Sequence, residues 1–425
     1  MLLPMPQKKP AAFVADLHIH SRFSRATSPA CTLEGLHQWA QLKGVTVVGT
    51  GDFTHPKWFA ELREKLIPAA PGLYALRPDL ATTADANVPP SCRAPVFFML
   101  TGEISSIYKR DGRCRKIHSL VFAPDLAAVE KINARLDAIG NIRSDGRPIL
   151  GLDPRILLAI LLEAHPDCAL VPAHIWTPWF AMLGSKSGFD STTACFGDLT
   201  SHIFAVETGL SSDPPMNRRV SSLDSLALIS NSDLHSPANL GRNANLFFGA
   251  PDYFSMINGL RRKDKAVCGG TIELFPEEGK YHLDGHRACD FVCEPAESRR
   301  LKDCCPRCGK PLVLGVLHRV EQLADRPAGF QLRGDLPYSY IIPLPELLAE
   351  ILDVGDTSKR VLAAYHKLLT ACGPELTILR SLPPAEVERH GPPRLGEALQ
   401  NLRAGKVFRR GGYDGVYGTI KVFDA

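Results

Sequence analysis

Up to about residue 275, the chain alternates short runs rich in β-branched and aromatic residues with helical patterns. The runs are FVADLHIH, VTVVGTGDF, PVFFMLTGEIS and KIHSLVFA, followed later by ALVPAHIW, HIFAVETGL and LALISNSDLH. Between them, Thr32 can cap a helix that stops near Gly44, and Asp153-Pro154 opens a helix with the body RILLAILLEA. Such alternation predicts an α/β fold with a parallel sheet, open or closed into a barrel.

Side chains of the types that bind metal ions fall at or near the end of almost every predicted strand. They are His18 and His20 in the first run, Asp52 after the second, Glu103 at the end of the third, His118 in the fourth, and later His174, Asp233 and His235. The carboxyl ends of parallel strands are where α/β barrels build active sites. Residues i and i+2 of a strand point to the same side, so the HxH and DxH pairs can each offer two ligands together.

This mixture of imidazole and carboxylate suits zinc, manganese or iron. The set exceeds what one ion takes, which predicts two or three ions with Glu103 as a bridging carboxylate. Clustered ions can clamp a phosphate, neutralise its developing charge and lower the pKa of a bound water molecule. Burying so many ionisable groups without metal would cost several kcal/mol each. We therefore interpret the set as a catalytic metal cluster that acts on a phosphoester.

The order of these motifs resembles that of the polymerase-and-histidinol-phosphatase (PHP) family. The resemblance implies a distorted (β/α)7 barrel with a trinuclear metal site. In the ligand sets that it implies, the first ion is held by His18, His20, Glu103 and Asp233, the second by Glu103, His118 and His174, and the third by Asp52 and His235.

Two positions depart from the pattern of many PHP proteins. The second motif often reads Thr-Asp-His, but here it is Gly51-Asp52-Phe53, with His55 displaced. Many relatives also carry a histidine six residues after HxH, where this chain has Ala26. We therefore expect the third ion to be weakly held or differently ligated.

Longer segments resemble the endonuclease Q family over nearly the whole chain: ADLHIHSRFSRATS, GTGDFTHPKW, PAHIWTPWF, SDLHSP, DGHRAC, CPRCGKPL, GVLHRVEQLADR and GYDGVYG. This resemblance implies a DNA-repair endonuclease that cuts on the 5′ side of deaminated bases such as hypoxanthine, uracil and xanthine, or at abasic sites. The catalytic residues would be Asp233, His235 and Glu103. The implied cofactor of the cluster is Zn²⁺, with Mg²⁺ or Mn²⁺ as ions that support activity, and the implied partner is DNA carrying these lesions.

A second metal site is predicted in the cysteine-rich segment. Cys305-Pro-Arg-Cys308-Gly is a zinc knuckle by its spacing and by the glycine that follows it. The spacing leaves the other ligands open: Cys289 with Cys293, or Cys289 with His286, with Cys304 as a spare. The DGHR motif of the endonuclease Q family favours His286. A site with four protein ligands is closed and structural, so we expect Zn²⁺ there.

From about residue 280 the composition changes, and proline-punctuated helical patterns dominate after about residue 326. We predict three parts: a catalytic barrel at 1–280, a zinc-binding module at 281–325 and a helical DNA-binding region at 326–425. Residues 299–319 contain six Lys or Arg and one acidic residue. Residues 391–425 contain six Lys or Arg and three acidic residues. Positive charge concentrated in this way favours contact with the phosphate backbone of DNA.

A modified base has to leave the helical stack before an enzyme can inspect it. Trp176, Trp179 and Phe180 follow His174 closely and are candidates for stacking on such a base, although packing at the barrel rim is an equal alternative. Arg218 and Arg219 are candidates for phosphate contacts, with surface salt bridges as the alternative.

The remaining features concern location and partners. No run of about 18 apolar residues appears, the length that a membrane-spanning helix needs. Lys8 and Lys9 follow the first apolar residues rather than precede them, which is untypical of a secretory signal. We expect a cytoplasmic, nucleoid-associated protein in which the twelve cysteines are reduced. A sliding clamp is a further candidate partner, although no clamp-binding peptide stands out in the sequence.

Two other functions compete with DNA repair. A PHP-type phosphatase of small molecules, similar to histidinol-phosphate phosphatase, would explain the barrel but leave the zinc knuckle and the basic segments without a role. A catalytically decayed nucleic-acid-binding protein would have lost ligands, whereas most of the set is present here.

Overall fold

The computed structural model describes residues 11–423. The N-terminal segment with Lys8 and Lys9, on which the expectation about a secretory signal rests, lies outside the described residues, as do the last two residues. Between residues 11 and 423, no helix combines the length and the apolar character that crossing a membrane requires.

The strands are short except for one long hairpin. They are β1 (Ala12–Asp16), β2 (Val47–Gly49), β3 (Leu66–Ala70), β4 (Leu73–Leu76), β5 (Phe97–Arg110), β6 (Arg113–Ala123), β7 (Ile149–Leu150), β8 (Ala169–Pro172), β9 (Ala205–Glu207), β10 (Ala227–Ile229), β11 (Ala244–Phe248), β12 (Cys268–Glu273), β13 (Asp284–His286), β14 (Phe291–Cys293), β15 (Tyr338–Tyr340), β16 (Phe408–Arg410) and β17 (Thr419–Lys421).

The helices lie mainly between the strands and then in a group near the C-terminus. They are α1 (Leu33–Lys43), α2 (Pro56–Lys65), α3 (Pro78–Asp85), α4 (Leu126–Asp137), α5 (Pro154–Ala164), α6 (Thr192–Phe196), α7 (Pro214–Asn217), α8 (Tyr253–Arg262), α9 (Pro295–Arg300), α10 (Val316–Leu323), α11 (Leu344–Leu352), α12 (Lys359–Cys372), α13 (Glu375–Arg380), α14 (Pro384–Glu388) and α15 (Leu395–Arg403).

Helix ends follow the local signals in the sequence. The side chain of Thr32 accepts a hydrogen bond from the amide of Gly35 at the start of α1, and Gly44 ends that helix in the left-handed region with φ 83°. Asp153 caps α5 through the amide of Arg155, and a proline occupies its first turn. These two predicted helix boundaries are confirmed.

The central sheet is mixed, which corrects the expectation of a parallel sheet. β1, β2 and β5 are parallel to one another, but β5 and β6 are antiparallel, and so are β6 and β8. The reason is the turn at Asp111-Gly112, where both residues have positive φ and form the tight hairpin that the Asp-Gly pair predicts. The barrel therefore contains a long antiparallel hairpin of β5 and β6.

A ring of strands surrounds the position where the predicted ligands meet. Sheet hydrogen bonds join β1 to β2, β2 to β5, β5 to β6 and β6 to β8. The amide of Ile175 after β8 then donates to the carbonyl of Glu207 in β9, and β9 pairs with β10. A bridge between Ile19 and Leu234 returns the path to the chain that continues β1. This closed path brings the carboxyl ends of β1, β9 and β10 together.

The C-terminal helices share an apolar core with the N-terminal part of the chain and contact α1 through a buried ion pair. Nζ of Lys43 in α1 lies 2.6 Å from Oε2 of Glu375 in α13, and both side chains are buried. Tyr365 and the amide of Leu344 also donate to this carboxylate. In addition, β15 adds to the edge of the large sheet beside β12. The division at about residues 280 and 325 stays a prediction.

Candidate metal centre

Two histidines enter the centre on the segment that directly follows β1. His18 and His20 are buried and lie on the same side of an extended chain, as the i, i+2 spacing predicts. The amide of His20 donates to the carbonyl of Leu234 at 3.1 Å, which holds the Asp233–His235 segment alongside. As a result, Nε2 of His20 lies 3.1 Å from Oδ1 of Asp233.

Glu103 reaches the centre from the middle of β5, which corrects the expectation that it ends a strand. The strand continues to Arg110 because the hairpin with β6 extends the hydrogen-bond ladder beyond the site. His118 of β6 faces the same space, with Nδ1 at 2.7 Å from Oε1 of Glu103. Nε2 of His174 lies 3.2 Å from the same oxygen.

The structure gathers the ligand-type side chains into two groups that share one carboxylate. The first group is His18, His20, Glu103 and Asp233, and the second is Glu103, His118 and His174. Within each group, one ligand atom from every residue lies within 4.8 Å of the others. Nε2 of His18 is buried without a hydrogen-bond partner among the described residues. Imidazole nitrogens, carboxylate oxygens and an orphaned buried nitrogen fit divalent metal ions, and Glu103 would be common to both groups.

Asp52 and His235 are not gathered into a third group with the ligands of the described chain. Asp52 is fully buried and accepts hydrogen bonds from Nδ1 of His20 at 3.0 Å, the amide of Ser21 at 2.7 Å and the hydroxyl of Ser24 at 2.9 Å. Both of its oxygens are thereby engaged by donors of the protein. His235 donates from Nδ1 to the carbonyl of Asp233. The third ligand set implied by the resemblance, Asp52 with His235, stays a prediction.

Glu207 is a residue of the centre that sequence analysis missed. It ends β9, and its Oε1 lies 3.0 Å from Nδ1 of His18. Its other oxygen accepts the amide of His174 at 2.8 Å. A carboxylate behind a histidine fixes the ring tautomer and turns Nε2 toward a metal. The signal was present in the sequence, because HIFAVETGL places an acidic residue at a strand end like the other runs.

The carboxylates and imidazoles of the centre shift one another's pKa. Burial lowers the pKa of His18, but the carboxylates of Glu207 and Asp233 outweigh burial and hold the pKa well above its ordinary value. Burial raises the pKa of Asp233, yet the rings of His18 and His20 hold that pKa below its usual range. His18 and His20 therefore favour the protonated imidazole beside ionised carboxylates, whereas burial lowers the pKa of His118 to about 4 and favours its neutral ring. Metal ions compete with these protons.

The aromatic residues after His174 occupy different environments. Trp176 is buried and donates from Nε1 to Oδ1 of Asn217 at 2.8 Å, so its ring packs inside the protein. Phe180 packs on the ring of His118 with the centroids 4.7 Å apart. Trp179 is 50% exposed, and Nζ of Lys116 lies 4.9 Å from the centre of its ring. Of the three, Trp179 presents the most ring surface.

The two arginines proposed for phosphate contacts are engaged with the protein. Arg218 is buried and bonded to both carboxylate oxygens of Asp335, with two further hydrogen bonds to the carbonyls of Leu223 and Leu226. This corrects the expectation of a phosphate contact, because burial and saturation leave its guanidinium out of reach of DNA. Nη1 of Arg219 lies 3.8 Å from Glu321, at the limit of an ion pair.

A second cluster of ligand-type atoms lies outside the strand ring. His286, Cys289, Cys305 and Cys308 each offer one atom within 4.8 Å of the others. Cys293, the alternative ligand, is buried and packs beside Leu312 instead, since β14 turns its side chain into a small core. Cys304 also lies outside this group of four.

The Cys305–Cys308 turn is built to stabilise a thiolate. Burial opposes ionisation of the Cys305 thiol, but the backbone N–H groups of Arg307 and Cys308 outweigh it and lower the pKa to about 7. The amide of Gly309 donates to the carbonyl of Cys305, and Gly309 closes the turn with φ 73°. One histidine and three cysteines in this arrangement fit a tetrahedral zinc ion.

A distorted ring of strands that gathers two groups of metal-type ligands around one carboxylate is the arrangement of a metal-dependent hydrolase. The crystal structure of the lesion-specific endonuclease PfuEndoQ from Pyrococcus furiosus is similar to this chain with a TM-score of 0.83 and 30% identity, covering 97% of this chain and 95% of that one. This chain belongs to the endonuclease Q family. The expected α/β fold with a helical C-terminal region is confirmed.

Further relatives cover the chain at similar length. An endonuclease Q crystallised with a 27-mer duplex carrying an abasic lesion at its active site has a TM-score of 0.82, with 29% identity over 97% of each chain. The uncharacterised protein YqxK of Bacillus subtilis is 30% identical over 423 residues, which is 96% of this chain and 98% of the relative. Residues 343–406 match the family model of the MJ0043 C-terminal domain.

Proposed function

We propose that this protein is a lesion-specific DNA endonuclease that hydrolyses the phosphodiester on the 5′ side of a deaminated base or an abasic site. The observation that carries the proposal is the pair of ligand groups sharing Glu103, in a chain that aligns with PfuEndoQ over nearly its full length. The endonuclease Q complex with abasic DNA supports DNA as the substrate. Hypoxanthine, uracil and xanthine are the deaminated bases that we expect.

The chain provides two places for divalent ions in this function. The first group would hold one ion and the second group another, with Glu103 common to both. Bound ions would neutralise charge on the phosphate and lower the pKa of a coordinated water molecule. Zn²⁺ suits the nitrogen and oxygen ligands, and Mg²⁺ or Mn²⁺ are the alternatives for activity. Asp52 and Glu207 act as positioning residues that fix the rings of His20 and His18.

The residues at the accessible edge of the centre are the ones that meet the substrate. The side chains of Asp233 and His235 are 26% and 32% exposed, whereas His18 and Glu103 are fully buried. Because Nδ1 of His235 donates to the carbonyl of Asp233, Nε2 remains free to accept a proton. We assign Asp233 and His235 to the face that receives the scissile phosphate.

The regions beyond the barrel serve DNA binding in this proposal. Zinc held by His286, Cys289, Cys305 and Cys308 fixes the segment at 281–325, with its surplus of basic residues. The helical region at 326–425 supplies the second basic surface. Trp179 is our candidate for stacking on a displaced base. Contact with a sliding clamp and a place at the nucleoid in the cytoplasm stay predictions.

The test compares end-labelled duplexes that carry one uracil, one inosine, one abasic site or no lesion, incubated with Mg²⁺ or Mn²⁺. We expect a nick just 5′ of the lesion, no product from the undamaged duplex, and no product with Asp233→Ala. Asp198→Ala is the matched control, since Asp198 pairs with Arg155 on the surface. A metal-loaded protein that leaves every duplex intact but hydrolyses a phosphate monoester such as histidinol phosphate would overturn the proposal.

A further inference from the structure

A positive charge of the protein itself stands beside the shared carboxylate of the metal centre. Nη1 of Arg147 donates to Oε2 of Glu103 at 3.0 Å. Its side chain is 28% exposed, so the guanidinium lies between the buried ligands and the solvent. Asp52, which the PHP resemblance assigns to a third ligand set, lies nearby and accepts hydrogen bonds from His20, Ser21 and Ser24.

The loop that carries Arg147 is fixed to three separate elements. The amide of Gly146 donates to the carbonyl of Phe23 at 3.0 Å, and the hydroxyl of Thr54 donates to the carbonyl of Gly146 at 3.3 Å. The amide of Ser105 in β5 donates to the carbonyl of Pro148 at 3.0 Å. These bonds place the loop across the mouth of the centre.

Gly146 lets this loop close on Asp52. A Cβ at position 146 would collide with the carboxylate of Asp52 and with the hydroxyl of Ser24. Only a residue without a side chain allows so close an approach. The same close approach covers the carboxylate of Asp52 and places the neighbouring Arg147 beside Glu103.

The guanidinium keeps donors available for a ligand. Among residues 11–423, no acceptor bonds to Nε or Nη2 of Arg147. A guanidinium group is effectively never deprotonated in a protein. The residue is therefore a permanent cation with free N–H groups at the edge of a site that handles phosphate. Planar guanidinium donors match the oxygens of a phosphate group.

We propose that Arg147 is a catalytic residue that binds a non-bridging oxygen of the scissile phosphate and adds positive charge there beyond that of ions held by the two ligand groups. This inference rests on the proposed function. It assigns phosphate binding to a residue that belongs to neither metal-ligand group. Preorganised donors aimed at developing charge are worth about 10²–10³ in kcat when one is removed.

The test uses the metal-loaded full chain in four forms: parent, Arg147→Ala, Arg147→Lys and Arg143→Ala. Arg143 is the matched control, because it lies on the same loop but pairs with Asp137 on the surface. Three quantities are measured: the affinity for inorganic phosphate by calorimetry, the number of ions per chain by elemental analysis, and kcat and KM for nicking with and without added millimolar guanidinium.

We expect Arg147→Ala to bind phosphate at least about 10-fold more weakly, in line with the loss of a hydrogen bond to a charged group. We also expect kcat to fall about 10²–10³-fold with KM changed much less, the ion count to stay at the parent value, and guanidinium to restore part of kcat. Arg147→Lys should be intermediate, and Arg143→Ala should match the parent.

Three results would overturn the assignment. If Arg147→Ala kept the phosphate affinity and the kcat of the parent, Arg147 would not contact the phosphate. Loss of a metal ion from that variant would reduce Arg147 to a support for Glu103. A metal-loaded parent that binds no phosphate would also contradict it. A parent that binds phosphate through Arg147 but nicks no DNA would instead contradict only the proposed function, since phosphate binding is measured without DNA.

Discussion

Asp52 accepts a hydrogen bond from Nδ1 of His20 at 3.0 Å, while Nε2 of the same ring lies 3.1 Å from Asp233. The carboxylate that the PHP resemblance assigns to a third ion is thus hydrogen-bonded to a histidine of the first ligand group. Glu207 has the same relationship to His18. Both rings of the HxH motif are held from behind by a buried carboxylate.

We expect Asp52→Asn to lower the affinity of the first metal site by about 10–100-fold, because a supporting carboxylate that is lost usually costs that much. Metal titration after chelator treatment measures the effect. Glu207→Gln should lower this metal affinity to a similar extent, and Asp198→Asn on the surface should leave it unchanged. An unaltered affinity in Asp52→Asn would contradict a positioning role.

Glu103 is the only residue common to both ligand groups of the described chain. We expect Glu103→Gln to lower the occupancy of both ions, because the charged bridging group is lost. His118→Ala should lower the occupancy of one ion only. Elemental analysis of the dialysed variants gives the ion count per chain, corrected for the zinc of the cysteine cluster. Equal loss in both variants would argue against a bridging carboxylate.

In the cysteine cluster, the spacing in the sequence could not decide whether His286 or Cys293 is a zinc ligand, and substitutions can test this. We expect Cys308→Ala and His286→Ala each to lose one zinc ion per chain and to unfold at lower temperature, because a structural site contributes directly to folding. Cys293→Ala should keep its zinc, since this side chain packs beside Leu312. Zinc retained in His286→Ala but lost in Cys293→Ala would reverse the assignment.

Glu273 is a fully buried carboxyl group in β12, and it accepts hydrogen bonds from Ser230 at 2.7 Å and Thr208 at 3.1 Å. Burial raises its pKa from 4.5 to about 8. The folded protein therefore holds a proton that the unfolded chain releases above its lower pKa. This group makes folding less favourable as pH rises between about 4.5 and 8.

We expect Glu273→Gln to remove that pH dependence. Relative to the parent, its free energy of unfolding should increase with pH by roughly 1.4 kcal/mol per unit across the window. Urea denaturation of both proteins at pH 5, 6, 7 and 8 gives the difference at each pH. Exposed Glu386→Gln is the control. A difference that stays constant over this range would exclude the raised pKa.

The ion pair of Lys43 and Glu375 joins the first helix to the C-terminal helices. We expect Glu375→Gln to destabilise the protein by about 3–5 kcal/mol, because it leaves a buried ammonium group without its counter-charge. The free energy of unfolding in urea measures the loss. Lys43→Met combined with Glu375→Gln should recover part of it. No recovery in the double variant would mean that packing, rather than charge, dominates at this position.

Local chemistry was predictable from the sequence. The caps at Thr32 and Asp153 and the hairpin at Asp111-Gly112 are each decided by atoms within a few residues, so the chain carries the information nearby. The same holds for the residue types of the metal centre. Histidines, carboxylates and cysteines suit metals wherever they occur.

The partnerships between distant residues depended on the tertiary structure. Glu207 and His18 are 189 residues apart, and Arg147 reaches Glu103 from a loop 44 residues further along the chain. Strand spacing cannot reveal these pairs, because they depend on which strands become neighbours and on how closely loops approach. The sequence by itself determined which side chains can bind metal. Only the closed ring of strands decided which of them come together in one group, which lie behind that group, and which cation stands beside Glu103, because burial and contact are properties of the folded chain.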